Sequence, residues 1–137
     1  MSRLNKNKKE KKDMETINVN GIEYVRKEDA EAMNQLAEKV DGMPFVCIRT
    51  YSAGVHFGYL KSRNGKEVEL VNSIRVWYWD GACSLSELAT NGSTKIENCK
   101  YAVTVPHIIL TEAIEIIDVT DVAKAQMESA KRWKMKK

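Results

Sequence analysis

From residue 45 onward, apolar and polar side chains alternate with the period of two that a pleated strand requires. The pattern predicts strands over residues 45–51 and 55–61, a turn at Ser62-Arg63-Asn64-Gly65, and strands over 67–71 and 74–79. In the last of these, alternation puts Arg75, Trp77 and Trp79 on one face and Ile74, Val76 and Tyr78 on the other. Two further strands, 100–105 and 107–117, are expected on either side of Pro106, and Ile114, Ile116 and Ile117 mark the second as deeply buried.

Ahead of this block the period changes. Apolar residues flank Asn20-Gly21, a dipeptide suited to the two positive φ angles of a tight hairpin, so residues 16–19 and 22–25 are expected to pair. Ala32, Leu36 and Val40 then repeat every fourth residue, which predicts a helix over 28–40 ended by Asp41-Gly42, with Gly42 as its C′ residue. Ser84-Leu85-Ser86-Glu87 reads as a capping box opening a short helix through Ala89. Residues 118–131 make a closing helix with Val119, Val122, Ala123 and Met127 on its apolar stripe, and Trp133 docks beyond it. No internal repeat emerges.

The expected fold is therefore α+β: a compact antiparallel β-sheet or half-barrel core, with an N-terminal hairpin-plus-helix and a C-terminal helix. Composition divides the chain into a disordered basic tail at 1–13 and a hairpin-and-helix element at 14–43, whose small hairpin must lean on the core or on another subunit. A β-rich ligand-binding core with its closing helix follows at 44–131, and a basic tail at 132–137. At 137 residues this is one domain with an appendage.

The net charge of +3 hides an asymmetry. Residues 1–12 and 124–137 each carry six Lys/Arg against one Glu, so the two +5 ends leave −7 on residues 13–123. An acidic core weighs against nucleic acid as the partner, since such surfaces are usually basic themselves. Cys47, Cys83 and Cys99 are odd in number and lack a Cys-x-x-Cys pair, which fits free thiols in a reducing cytoplasm. There is no apolar run of membrane-spanning length and no secretory signal pattern at the N-terminus.

Catalytic signatures are missing. His56 and His107 are the only histidines, and neither sits in a nucleophile, metal or phosphate-loop motif. Glu112 and Glu115 would face opposite sides of a strand and make a poor acid–base pair. No cofactor or metal is expected. What remains suits ligand binding. Arg49, Tyr51, Ser52 and His56 surround the small-residue reversal Ser52-Ala53-Gly54. Tyr51, Trp77 and Trp79 offer flat faces for a base, and Arg49 and Arg75 offer forked donors for phosphate oxygens. Asn91, Ser93 and Thr111 have side chains suited to ribose hydroxyls or a base edge. The same residues would also serve a plain hairpin corner and a Trp-rich strand packed under a helix.

Three segments carry a resemblance: Arg49-Thr50-Tyr51-Ser52-Ala53-Gly54-Val55-His56, Arg75-Val76-Trp77-Tyr78-Trp79 and Leu110-Thr111-Glu112-Ala113-Ile114-Glu115-Ile116-Ile117. In this order, behind a hairpin and helix, they resemble the first described type of phage Thoeris anti-defence protein over residues 16–120. The resemblance implies a non-catalytic sponge that encloses glycocyclic ADP-ribose, the signal made by the host TIR enzyme, in the cytoplasm of an infected bacterium. It implies a homo-oligomer built from dimers into hexamers, with the N-terminal segment packed on a neighbour. Some members also hold cyclic trinucleotides of CBASS systems at a separate site. The contact residues Arg49, Tyr51, Ser52, Arg75, Trp77, Trp79, Asn91 and Thr111 follow from side-chain chemistry, not from the resemblance. The competing readings are a single-stranded nucleic-acid binder, an enzyme that degrades the nucleotide with His56 or His107 as base, and a protein that blocks a host partner.

Overall fold

The computed structural model describes residues 17–19, 22–24 and 35–135. The basic tail at 1–13, most of the helix expected over 28–40 and the last two lysines lie outside them. The chain divides into two compact units, Met1–Leu36 and Ala37–Lys137. In the first, β1 (Ile17–Val19) pairs antiparallel with β2 (Ile22–Tyr24). Val19 stands opposite Ile22, the register of a two-residue connection.

The second unit opens where a helix was expected to end. Residues 37–40 are not helical: Ala37 donates its N–H to the Val119 carbonyl, and Val40 and Met43 exchange both backbone bonds. Asp41 and Gly42 both have positive φ, so Asp-Gly here is a hairpin turn and Gly42 is not a helix terminator. Over residues 35–40 the expected helix is absent, because Ala37 is tied to Val119 and buried in the core of the second unit; residues 28–34 of that expectation lie outside the described residues.

Five antiparallel strands follow in the order β6-β5-β4-β3-β7. They are β3 (Phe45–Thr50), β4 (Val55–Asn64), β5 (Glu67–Tyr78), β6 (Lys100–Leu110) and β7 (Ala113–Asp118). Two breaks expected within strands do not occur. The strands at 67–71 and 74–79 are one, bent at Asn72, whose positive φ marks an extra residue against β4. Pro106 stays inside β6, which is possible because β6 is an edge strand with one side unpaired. The break falls instead at Thr111-Glu112.

That short link forces the sheet to roll. β6 and β7 lie at opposite edges, four strand spacings apart, which is about 19 Å in a flat sheet. Leu110 and Ala113 are three residues apart, a reach of about 11 Å. The sheet therefore curls on itself, and Ala113 donates its N–H to the Lys66 carbonyl at 2.9 Å where the two ends meet.

Rolling creates two apolar clusters. One, at the closure, contains Val46, Ile48, Val68, Leu70, Leu110 and Ala113. The other contains Phe45, Cys47, Phe57, Ile74, Val76 and Tyr101, covered by α1 (Leu85–Asn91) and α2 (Asp121–Ser129). β3 serves both, so four successive residues, Phe45–Ile48, are buried. In α1 the Ser84 hydroxyl accepts the Glu87 N–H at 3.1 Å, while the Glu87 carboxylate returns to the Cys83 N–H. α2 starts at Thr120, whose hydroxyl accepts the Ala123 N–H, and it leaves Val122 exposed. β7 also departs from expectation. Ile114 and Ile116 are 50% and 36% exposed because β7 is an edge strand.

Candidate functional site

The β3–β4 reversal is held by its own side chains. The Thr50 hydroxyl accepts the Ala53 N–H at 2.8 Å and donates to the Gly54 carbonyl at 2.7 Å. His56 is buried beneath it, and its Nε2 lies 2.9 Å from the Ala53 carbonyl, so that nitrogen carries the proton and donates. Burial holds the imidazole pKa below its ordinary value, and the positive charge of Arg75 adds to the effect against the opposing Ala53 bond. His56 is thus held neutral beneath the reversal. The Tyr51 N–H donates to the Glu112 carbonyl at 2.9 Å, and the Ser52 hydroxyl donates to the Glu112 carboxylate at 3.1 Å. The β6–β7 link carrying Thr111 therefore rests against the reversal. Tyr51 itself is 77% exposed.

Register brings β5 to the same place. Val55 pairs with Val76, which sets Trp77 level with Gly54, and His56 pairs with Arg75. Directly opposed residues share a face, as do residues two apart, so Ile48, His56, Arg75 and Trp77 all point to one side. Ile48 and His56 are buried there, while Arg75 and Trp77 emerge at the rim. Arg49 alternates with Ile48 and Thr50 and points the other way, 3.9 Å from the Glu115 carboxylate. The two arginines of the expected site are thus on opposite faces of the sheet.

Two other expected residues are not brought in. Trp79 lies beyond the end of β5 and packs, half-buried, against the helix-covered cluster, so it does not share the face of Arg75 and Trp77. Asn91 ends α1 in the helical layer, exposed. Ser93, also considered for ribose, is buried: its hydroxyl donates to the Asp80 carbonyl and accepts the Lys95 N–H.

The structure adds residues that alternation does not reveal. Trp133 meets Trp77 edge-on, with ring centres 6.4 Å apart and planes at 74°. Lys100 lies 5.0 Å from the Trp133 ring and 5.7 Å from that of Tyr78. A lone Trp in the run Lys131-Arg132-Trp133-Lys134 was the available signal, because an apolar ring in a basic tail needs a surface to cover.

His107 belongs to a separate surface cluster. Its Nε2 is 2.6 Å from one oxygen of Glu69, whose other oxygen accepts the Ser62 hydroxyl at 2.9 Å. These bonds, His107 first, hold the Glu69 carboxyl below its ordinary pKa. The carboxylate stands between hydroxyl and imidazole, so the serine proton points to Glu69 and the histidine is not placed to remove it. Among the described residues no group of three or more His, Cys, Asp or Glu could hold a metal ion, and no helix is long and apolar enough to cross a membrane.

No curated protein matches the chain. Residues 43–127, from the Val40–Met43 turn to the buried Met127 of α2, match the model of a family described as a domain of unknown function, DUF6948, and the chain belongs to that family.

Proposed function

We propose that the protein binds a nucleotide without cleaving it, and that the ligand is a cyclic ADP-ribose-type immune signal sequestered by a phage protein. One observation carries the reading. Trp77, 52% exposed, stands two residues from Arg75 on one face, beside the open Ser52-Ala53-Gly54 reversal. A half-exposed indole offers a stacking surface, and a guanidinium beside it offers two parallel donors to phosphate oxygens. Tyr51, Ser52 and Thr111 flank the same end of the sheet with hydroxyls for ribose. Both imidazoles are engaged elsewhere, which favours holding over turnover.

A rim site of this kind encloses its ligand fully only with a second wall. Exposed Val103, Val105, Ile109, Ile114 and Ile116 on the two edge strands favour assembly with further copies of the chain, dimer-based and hexameric as the resemblance implies. A cyclic trinucleotide at a second site belongs to the same reading.

The test is capture. Purified protein is mixed with cyclic ADP-ribose isomers and with cyclic trinucleotides, freed of unbound ligand, heat-denatured, and the supernatant is read by mass spectrometry. Recovery of intact nucleotide is expected. Altered nucleotide would mean an enzyme, and an empty supernatant would leave a protein partner as the better reading.

A further inference from the structure

The segment after α2 is held both against β6 and against the carbonyl end of the helix. Arg132 forms a parallel bridge to Tyr101 of β6, and the Trp133 N–H donates to the Tyr101 carbonyl at 2.8 Å. The Arg132 guanidinium donates to the Met127 and Ala130 carbonyls, each at 3.1 Å, and lies 5.8 Å from the Tyr101 ring. Lys100 sits against the Trp133 ring. A backbone bond, a guanidinium clamp and a cation–π contact thus fix one indole, and yet 50% of Trp133 is exposed. If these contacts served only to cover a hydrophobic ring, the ring would be buried. They set it upright beside Trp77.

We propose that Trp133 and Trp77 form a two-walled aromatic corner that receives the base of the nucleotide, with Arg75 and Lys100 turned toward its phosphates. This rests on the nucleotide reading above and assigns the base-binding part of that site. Two rings at 74° leave one indole face for a planar base to stack on and a second ring to meet the base edge. The neighbouring cations select an anionic aromatic ligand over an apolar one. Trp133 lies past the residues that match the family, so this wall belongs to the chain's own C-terminal segment. Because Lys100 pairs with Tyr78 at the end of β5, its ammonium reaches the corner from the β6 side, opposite the reversal.

The experiment is titration of the full chain with cyclic ADP-ribose isomers, followed by intrinsic tryptophan fluorescence and by calorimetry. The parent should show quenching on binding. Trp133→Ala should bind about five- to a hundredfold more weakly, the range expected for loss of one base–aromatic stack. Trp133→Phe should bind more tightly than Trp133→Ala and show less quenching than the parent, since a smaller phenyl face still stacks; this variant separates loss of the ring from damage to the fold. Should the parent bind and Trp133→Ala bind equally well, the corner is overturned while the nucleotide reading stands. Should the parent bind no nucleotide, both fall. A short oligothymidylate bound more tightly than any mononucleotide would overturn the assignment in favour of a single-strand surface.

Discussion

The backbone N–H of Ala113 donates to the carbonyl of Lys66 at 2.9 Å, joining the first residue of β7 to the segment that opens β5. Between them in the sheet lie β4 and β3, so this bond marks where the rolled sheet comes back to itself. The same closure presses Glu112 against the β3–β4 reversal, which sets the rim on which Tyr51, Ser52 and Trp77 stand. Fold and site geometry therefore share one joint.

A second joint ties the loop after β5 to the loop after α1, and Gly81 is its tightest point. Its φ is +85°, and a Cβ there would lie 2.5 Å from the Lys95 nitrogen and 2.6 Å from the Ser93 hydroxyl. Gly65 also has positive φ, at +63°, but has nothing within 4 Å. Gly65→Ala should cost only the left-handed backbone penalty of about 1–2 kcal/mol. Gly81→Ala should cost clearly more, because backbone must move as well. Urea unfolding of the two variants compares them; equal midpoints would mean that the Ser93–Asp80 loop yields freely.

Much of the sheet was legible in its alternation, and the reason for each miss is physical. Phe45 to Thr50, the start of β4 and the Ser84 cap are local signals, and the structure keeps them. Pro106 reads as a break because the sequence does not say which strand lies at an edge. Ile114 and Ile116 read as core because apolar content does not reveal whether a strand has one neighbour or two. Of the candidate site, Arg75 and Trp77 emerged together because they are two apart on one strand. Arg49 has the same chemistry as Arg75, and only register shows that it faces away. Trp133 depends on a tertiary contact with β6, which no periodicity encodes.

Thiol reactivity should be single-site. Cys47 and Cys99 are buried and Cys83 is exposed. Burial, with the Glu115 charge adding to it, pushes the Cys47 thiol up to about 12, so almost none is thiolate at neutral pH. Native protein treated with a disulfide reagent should release one equivalent rapidly and the remainder only on unfolding. Rapid release of two would mean that the helix-covered cluster opens readily.

Acid should weaken the fold through His56. Its native pKa lies below the ordinary 6.5, so the unfolded chain takes up this proton at higher pH than the native one. Stability is then complete above about 6.5 and falls as pH drops through the window down to the depressed native value. An NMR titration of the imidazole, alongside urea unfolding across that range, checks the sign. An imidazole titrating at or above 6.5 would show that the reversal is open to water.

Self-association should depend on the edge strands. Ile114 and Ile116 lie exposed on β7, where a charge is the usual protection against edge pairing. In light scattering the parent should exceed the monomer mass at micromolar concentration, and Ile114→Lys should shift it downward. A parent that scatters as a monomer would remove the second wall invoked for the site.

Nucleotide binding should depend unequally on the two arginines. Arg75 shares its face with Trp77, and no carboxylate pairs with it among the described residues. Arg49 faces away and already lies 3.9 Å from Glu115. Removing one charged partner from a desolvated contact costs about 2–5 kcal/mol, and a solvent-screened contact costs well under half of that. Arg75→Ala should therefore weaken cyclic ADP-ribose binding about thirtyfold or more, since each 1.4 kcal/mol is about tenfold. Arg49→Ala should weaken it only a few-fold, and Glu115→Gln should leave it unchanged or slightly tighter by freeing Arg49. Calorimetry on folded variants measures all three. A larger loss for Arg49→Ala than for Arg75→Ala would move the phosphate contact to the other face of the sheet, next to Glu115, and would separate it from the Trp77–Trp133 corner.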